Sequence, residues 1–142
     1  MPLLVMHTVP LWVAALWWGS LTTLGFFVVP MLFIHLPSPV MAGTMAGKLF
    51  SAQTAVSVVC GLLLLMFFRS NQHPGTVNIA QSATLFVVGG ILLAFLVEFG
   101  VSPHIIARDN LARWHRVGTG MYVVQWICAA VVFGKLSAHR GA

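Results

Sequence analysis

The sequence predicts an all-α integral membrane protein, a four-helix bundle with a short interfacial helix between its first and second spans. Three observations predict it. Of the 142 residues, 59% are hydrophobic and 6% charged, against about 25% charged in a soluble domain, so a water-facing surface cannot be assembled. The apolar runs are long and show no polar alternation, which selects helices over the strands of a barrel. Inside lipid, every backbone polar group needs a partner within the chain, and helices provide one residue by residue. The length fits one transmembrane domain over residues 1–142.

The first span covers about residues 6–33. Pro10 falls in its early turns, where proline is tolerated, whereas Pro30 should kink or end it. The run lacks a basic leader and exceeds the roughly 7–15 apolar residues of a signal peptide core, so it reads as a mature helix. Next comes "LPSPVMAGTMAGKLF", residues 36–50. Pro37 and Pro39 break the chain, Ser38 can cap the next helix, and Gly43 and Gly47 form a GxxxG flanked by Ala42 and Ala46. Too short to cross, residues 38–50 are predicted to lie along the interface as a separate helix. The second span is 52–68, the third 81–103 and the fourth 114–133, joined by a polar turn, "RSNQHPGTVN", and a basic stretch, "HIIARDNLARWHR".

Four spans put both termini on one side, face A, and the 36–50 and 104–116 connections on the other, face B. The formal charge of +5 is spread over helix ends rather than gathered in a stripe, so nucleic acid is not an expected partner. The expected partners are the bilayer and other membrane proteins, a second copy of the chain included. Lys48, Arg108, Arg113 and Arg116 lie on face B, and Arg69, Lys135 and Arg140 on face A. The excess points face B toward the cytoplasm, by too small a margin to set orientation. His7, His73 and His139 belong to face A, and His35, His104 and His115 to face B, so His7 and His115 cannot share a ligand across ~30 Å of hydrocarbon.

Small and polar residues repeat along helical faces. Ala15, Gly19 and Thr23 do so in the first span, and Gln53, Ser57 and Gly61 in the second. Gly90, Ala94 and Glu98 continue the pattern in the third, and His115, Gly118, Tyr122, Gln125 and Ala129 in the fourth. In a membrane, small residues mark helix contacts and polar ones bond across helices. The packing candidates are therefore Ala15, Gly19, Gly43, Gly47, Gly61, Gly90, Ala94 and Gly118. Glu98, the single glutamate, lies ~9 Å from the midplane of its span and is too short to reach water easily. It should turn inward to a partner, with Arg113, His115 and Arg116 as the basic candidates and Tyr122 and Gln125 completing a polar site.

Other chemistry is sparse. Cys60 and Cys128 sit in apolar spans without a CxxC, which speaks against a disulfide or thiolate metal site. No zinc-protease, phosphate-loop or nucleophile-elbow motif occurs. His35, His104 and His115, with Glu98, could form a metal site on face B, and no histidine lies near a span centre where haem would need it. The five tryptophans (Trp12, Trp17, Trp18, Trp114 and Trp126) read as interface anchors and packing.

"ALWWGSLTTLGFFVVPMLFIHLP" followed by "AGTMAGKLF" resembles the transmembrane protein 205-like family, a domain of unknown function numbered 4149. The matching positions are Trp18 to Ser20, Leu32 to Pro37 and Gly43 to Phe50. Pro103 and the Trp114–His115 pair come after them in the right order. The resemblance covers about residues 8–130 and implies a four-helix membrane protein without an assigned activity. Eukaryotic relatives carry a longer polar insert between the third and fourth spans. The short loop here is similar to the bacterial form and implies the inner membrane. Glu98 matches no family motif. A looser similarity extends to copper-resistance and haem-binding membrane families, whose intrahelical histidine pairs have no counterpart here.

The expected function is that of a non-enzymatic accessory or stress-related envelope protein, needing no cofactor. Two alternatives stand beside it: a carrier or channel for a proton, metal cation or small solute using Glu98 and His115, and a haem- or quinone-linked redox protein.

Overall fold

The computed structural model describes the backbone of residues 2–70 and 77–140 and the side chains of 8–70 and 80–138. The elements are α1 (Pro2–Thr23), a π-helical turn (Leu24–Val28), α2 (Val29–His35), α3 (Pro39–Ser70), α4 (Val77–Phe95), a second π-helical turn (Leu96–Val101), α5 (Ser102–Ile106) and α6 (Leu111–Arg140). No strand occurs among the described residues. Four segments are long and apolar enough to cross a membrane: Thr8–His35, Pro39–Ser70, Ala80–Ile106 and Leu111–Ala138. The chain is an all-α, multi-pass membrane bundle.

Both π-helical turns have one cause. Each ends two residues before a proline, Pro30 or Pro103. A proline has no N–H to donate and its ring crowds the carbonyl four residues back. Widening the preceding turn relieves the crowding while keeping backbone groups paired, as a lipid environment demands. Pro30 therefore does not end the first span, which passes through the π-helical turn and runs on through α2 to His35. Because α1 begins at Pro2, Pro10 lies in the helix interior rather than in the early turns where the sequence places it.

The predicted interfacial helix is not a separate element. Residues 38–50 form the beginning of α3, a continuous 32-residue helix. Lys48 through Gln53 contain no proline or turn residue, so nothing ends the helix. Ser38 does cap it, its Oγ accepting from the Met41 N–H at 3.2 Å. At 1.5 Å per residue, Lys48 and Arg69 stand about 31 Å apart along α3, and Arg116 and Lys135 about 28 Å apart along α6. Both separations match a hydrocarbon layer of ~30 Å.

Around the bundle, α1 packs against α3 and α6, and α4 packs against the same two. The diagonal pairs, α1 with α4 and α3 with α6, meet only through side chains on the axis. The core consists of Ala14, Trp17, Leu21, Cys60, Leu64, Val87, Ala129 and Val132. Toward face B the packing thins. From 102 to 124 no residue is buried, and from 25 to 52 only Ala42 and Ala46 are. There α2 packs on α3 and on its own π-helical turn, leaving Met31, Ile34, Val40 and Met41 exposed.

The face-B turn between α5 and α6 holds two non-glycine residues in the left-handed region, Arg108 and Asn110 (φ 42°). Arg108 has φ of 56°. Its N–H bonds the Ile105 carbonyl at 3.1 Å, and the Asp109 N–H bonds the His104 carbonyl at 3.0 Å. This is the paired closure of a helix C-terminus that favours glycine at the left-handed position. Arg108→Gly is expected to stabilise the protein by about 1 kcal/mol, read as a higher melting temperature in detergent. A lower one would show that the arginine side chain holds the turn.

Candidate intramembrane polar site

The inward face of α1 is set by its large residues. Ala14, Trp17, Leu21 and Leu24 are buried, three and four residues apart, one position out of phase with the predicted small-residue face. Ala15 is half-buried, Thr23 is exposed, and a methyl group built on Gly19 would meet nothing within 4 Å. Ala15 and Gly19 are therefore not packing positions within the chain. Trp17 decides the phase, because a side chain of that size gains most from the bundle interior.

Gly43 and Gly47 are corrected likewise. Neither would bring a methyl group within 4 Å of anything, while their neighbours Ala42 and Ala46 are buried. The other predicted packing residues hold. A methyl on Gly61 would lie 2.5 Å from Ile91, one on Gly90 2.6 Å from the Trp17 ring, and one on Gly118 3.2 Å from Val101. Ala94 is buried. A methyl on Gly25, which the sequence does not single out, would lie 2.6 Å from the Tyr122 ring.

The interior polar residues bridge helices in layers. Gln53 Nε2 donates to Ser20 Oγ at 2.9 Å, joining α3 to α1, and Ser20 donates to the Trp17 carbonyl at 2.9 Å. Gln125 Nε2 donates to Ser57 Oγ at 3.0 Å across the axis from α6 to α3, and both residues are buried. Tyr122 donates its hydroxyl to the Leu21 carbonyl at 2.7 Å, and its ring meets Phe50 edge-on with centroids 5.3 Å apart. Trp126 donates to Thr22 Oγ1 at 2.8 Å, while Thr22 donates to the Trp18 carbonyl. Tyr122 and Gln125 thus belong to the bundle's interior contacts, as their stripe predicts. Ser20, Thr22 and Trp126 are members that sequence reasoning misses. Hydroxyls inside helices commonly bond their own backbone, so sequence gives no sign of their reaching across. The indole N–H groups of Trp17 and Trp18 are buried and have no partner among the described residues.

Glu98 lies in the second π-helical turn, half-buried, and its Oε1 accepts from the Ser51 hydroxyl at 2.7 Å. The expected pairing with Arg113, His115 or Arg116 does not form. Among the described residues no Lys, Arg or His nitrogen lies within 4 Å of its oxygens. Its helical position turns it toward α3, while Arg116 bonds its own Ala112 carbonyl and His115 is exposed on α6. Glu98 is therefore apart from Tyr122 and Gln125, whose hydrogen bonds go to Leu21 and Ser57.

The three histidines expected as metal ligands are dispersed. His35 bonds the Met31 carbonyl at 3.0 Å. His104 stacks flat on Trp114, with ring centroids 4.1 Å apart, and faces Asp109 at 3.6 Å. With His115 exposed elsewhere, no group of three His, Cys, Asp or Glu side chains converges among the described residues. The side chains of His7, His73, His139 and Arg140 lie outside the described residues, as does 71–76 of the polar turn. Cys60 and Cys128 are both free.

The family described as Domain of unknown function (DUF4149) matches residues 12–113, from the first span through the face-B turn. The chain belongs to this family. The DUF4149 match takes in Gly90, Glu98 and Ser51 and stops before Tyr122 and Gln125, so half of each α6 bridge lies beyond it. No curated protein and no solved structure matches the chain.

Proposed function

We propose that this DUF4149 protein is a non-enzymatic accessory protein of a bacterial inner membrane, acting as an assembly in envelope upkeep or stress. The observation that carries the reading is the outer face of α1. Ala15, Gly19 and Thr23 lie four residues apart, turned from the core, and Gly19 has open space where a side chain would go. Small residues on a lipid-facing stripe let a second helix backbone come close, where dispersion and weak polar contacts drive association. The interior polar side chains support a structural role, since each bridging residue already bonds across the bundle. The short turn at 107–110 supports the bacterial form and the inner membrane. The reading requires no haem, metal or nucleic acid.

Gly19→Leu tests it. The first carbon of the new side chain meets nothing within 4 Å, so the monomer's melting temperature should change little while association in nanodiscs or bilayers falls. Single-molecule photobleaching across a range of protein-to-lipid ratios reads the result. A wild type monomeric at every ratio, or a Gly19→Leu protein that associates as well as wild type, would refute the proposal.

A further inference from the structure

We infer that Glu98 and Ser51 form a binding site for the cationic headgroup of an alkylammonium amphiphile entering from the face-B leaflet. The first ground is charge. An ionisable side chain within a transmembrane segment is expected to find a partner, and Glu98 has one neutral hydroxyl and no basic nitrogen within 4 Å among the described residues. Lys48, the nearest base along α3, stands one turn beyond Ser51 toward face B and forms no ion pair with it. Among the described residues no base stands within ion-pair distance, so the carboxylate is open to a cation from outside the chain.

Position then narrows the class. Ser51 lies about 4–5 Å inside the level of Lys48, where the headgroup of a single-chain amphiphile rests while its tail enters the hydrocarbon. Ser51 is exposed and Glu98 half-buried, so the pair is accessible along the seam between α3 and α4. Toward face B the same edge of α3 continues as Gly47 and Gly43, beside which nothing lies within 4 Å, leaving the approach open. Phe95, about one turn toward the bilayer centre, and Phe99, the next residue toward face B, stack at 6.0 Å and are exposed, offering aromatic surface to a cation and apolar surface to an alkyl chain. One carboxylate and one hydroxyl supply only part of the roughly six or more oxygens that calcium or magnesium takes, leaving the rest to water or headgroup oxygens at the edge of the hydrocarbon. A soft organic cation needs only the charge and the apolar wall. This site is separate from the α1 face of the preceding proposal, and either can fail without the other.

The test is retention of radiolabelled dodecyltrimethylammonium by the full chain in phosphatidylcholine nanodiscs, measured against empty nanodiscs. Wild type should show saturable retention that dodecanol, of equal chain length and no charge, does not displace. Glu98→Gln should weaken it about tenfold or more, with Glu98→Asp retaining part of it and circular dichroism confirming the fold of each variant. Folded Glu98→Gln protein that binds as wild type does, or displacement by dodecanol as effective as by the unlabelled cation, would overturn the inference. So would wild type that retains no more than empty nanodiscs, whatever the variants do.

Discussion

Gly90→Ala is expected to destabilise the bundle by about 3 kcal/mol, at the upper end of the range for overpacking a core. The added methyl would sit 2.6 Å from one atom of the Trp17 ring and 2.7 Å from another. That ring is fully buried among Ala14, Leu21, Cys60 and Val87, so it has no room to swing away. Gly61→Ala provides the comparison. Its methyl would lie as close, at 2.5 Å, but to Cδ1 and Cγ1 of Ile91, a smaller and only half-buried side chain that can shift with a smaller penalty. Gly90→Ala should therefore melt well below Gly61→Ala in the same detergent. Replacing Trp17 by phenylalanine removes the outer ring atoms that clash, so the double variant Trp17→Phe with Gly90→Ala should recover much of the loss, a positive coupling of the kind contacting residues show. A Gly90→Ala protein melting with wild type would mean that α1 and α4 do not meet on the axis.

What is legible in the sequence divides along a physical line. Helix number and span order come from hydropathy and backbone hydrogen bonding, which act locally, and they are found as read. Helix phase depends on which neighbour each face meets. On α4, on α3 beyond Gly47 and on α6 beyond His115 the small and polar residues coincide with the interior, so the pattern places Gly61, Gly90, Ala94, Gly118 and Gln125 correctly. On α1 the small residues Ala15 and Gly19 compete with Trp17, and the large ring takes the interior. The interfacial helix is misplaced by sequence because Pro37 and Pro39 signal a start, while only length suggests an end. Glu98 bonds within the chain, as its burial in a span predicts, but its partner is Ser51. A sequence shows which charges oppose one another, whereas the reach from the π-helical turn to α3 arises only from the fold.

Tyr122 is the residue whose truncation should most loosen the join between the two halves of the molecule. Its hydroxyl bonds the Leu21 carbonyl of α1, its ring edge meets Phe50 of α3, and its face lies against Gly25 in the π-helical turn. It sits at the level above which the packing thins toward face B, so few other contacts can replace it. Two variants separate the terms. Tyr122→Phe removes only the hydrogen bond, and interhelical hydrogen bonds in membranes average about 0.6 kcal/mol because the separated helices find other partners. Tyr122→Ala also removes the ring, and large-to-small changes of this size cost about 3 kcal/mol when surroundings cannot collapse. Lipid tails do not offset that loss, since what disappears is dispersion contact among closely packed atoms. The expected order in thermal unfolding is wild type, then Tyr122→Phe slightly lower, then Tyr122→Ala far lower. Gly25→Ala should be severe alone, with its methyl 2.6 Å from the ring, and mild in the Tyr122→Ala background where that ring is gone. If Gly25→Ala costs the same in both backgrounds, the close approach of α1 to α6 at this level is not what joins the halves, and the Gln125–Ser57 bond and Trp17 must hold them without it.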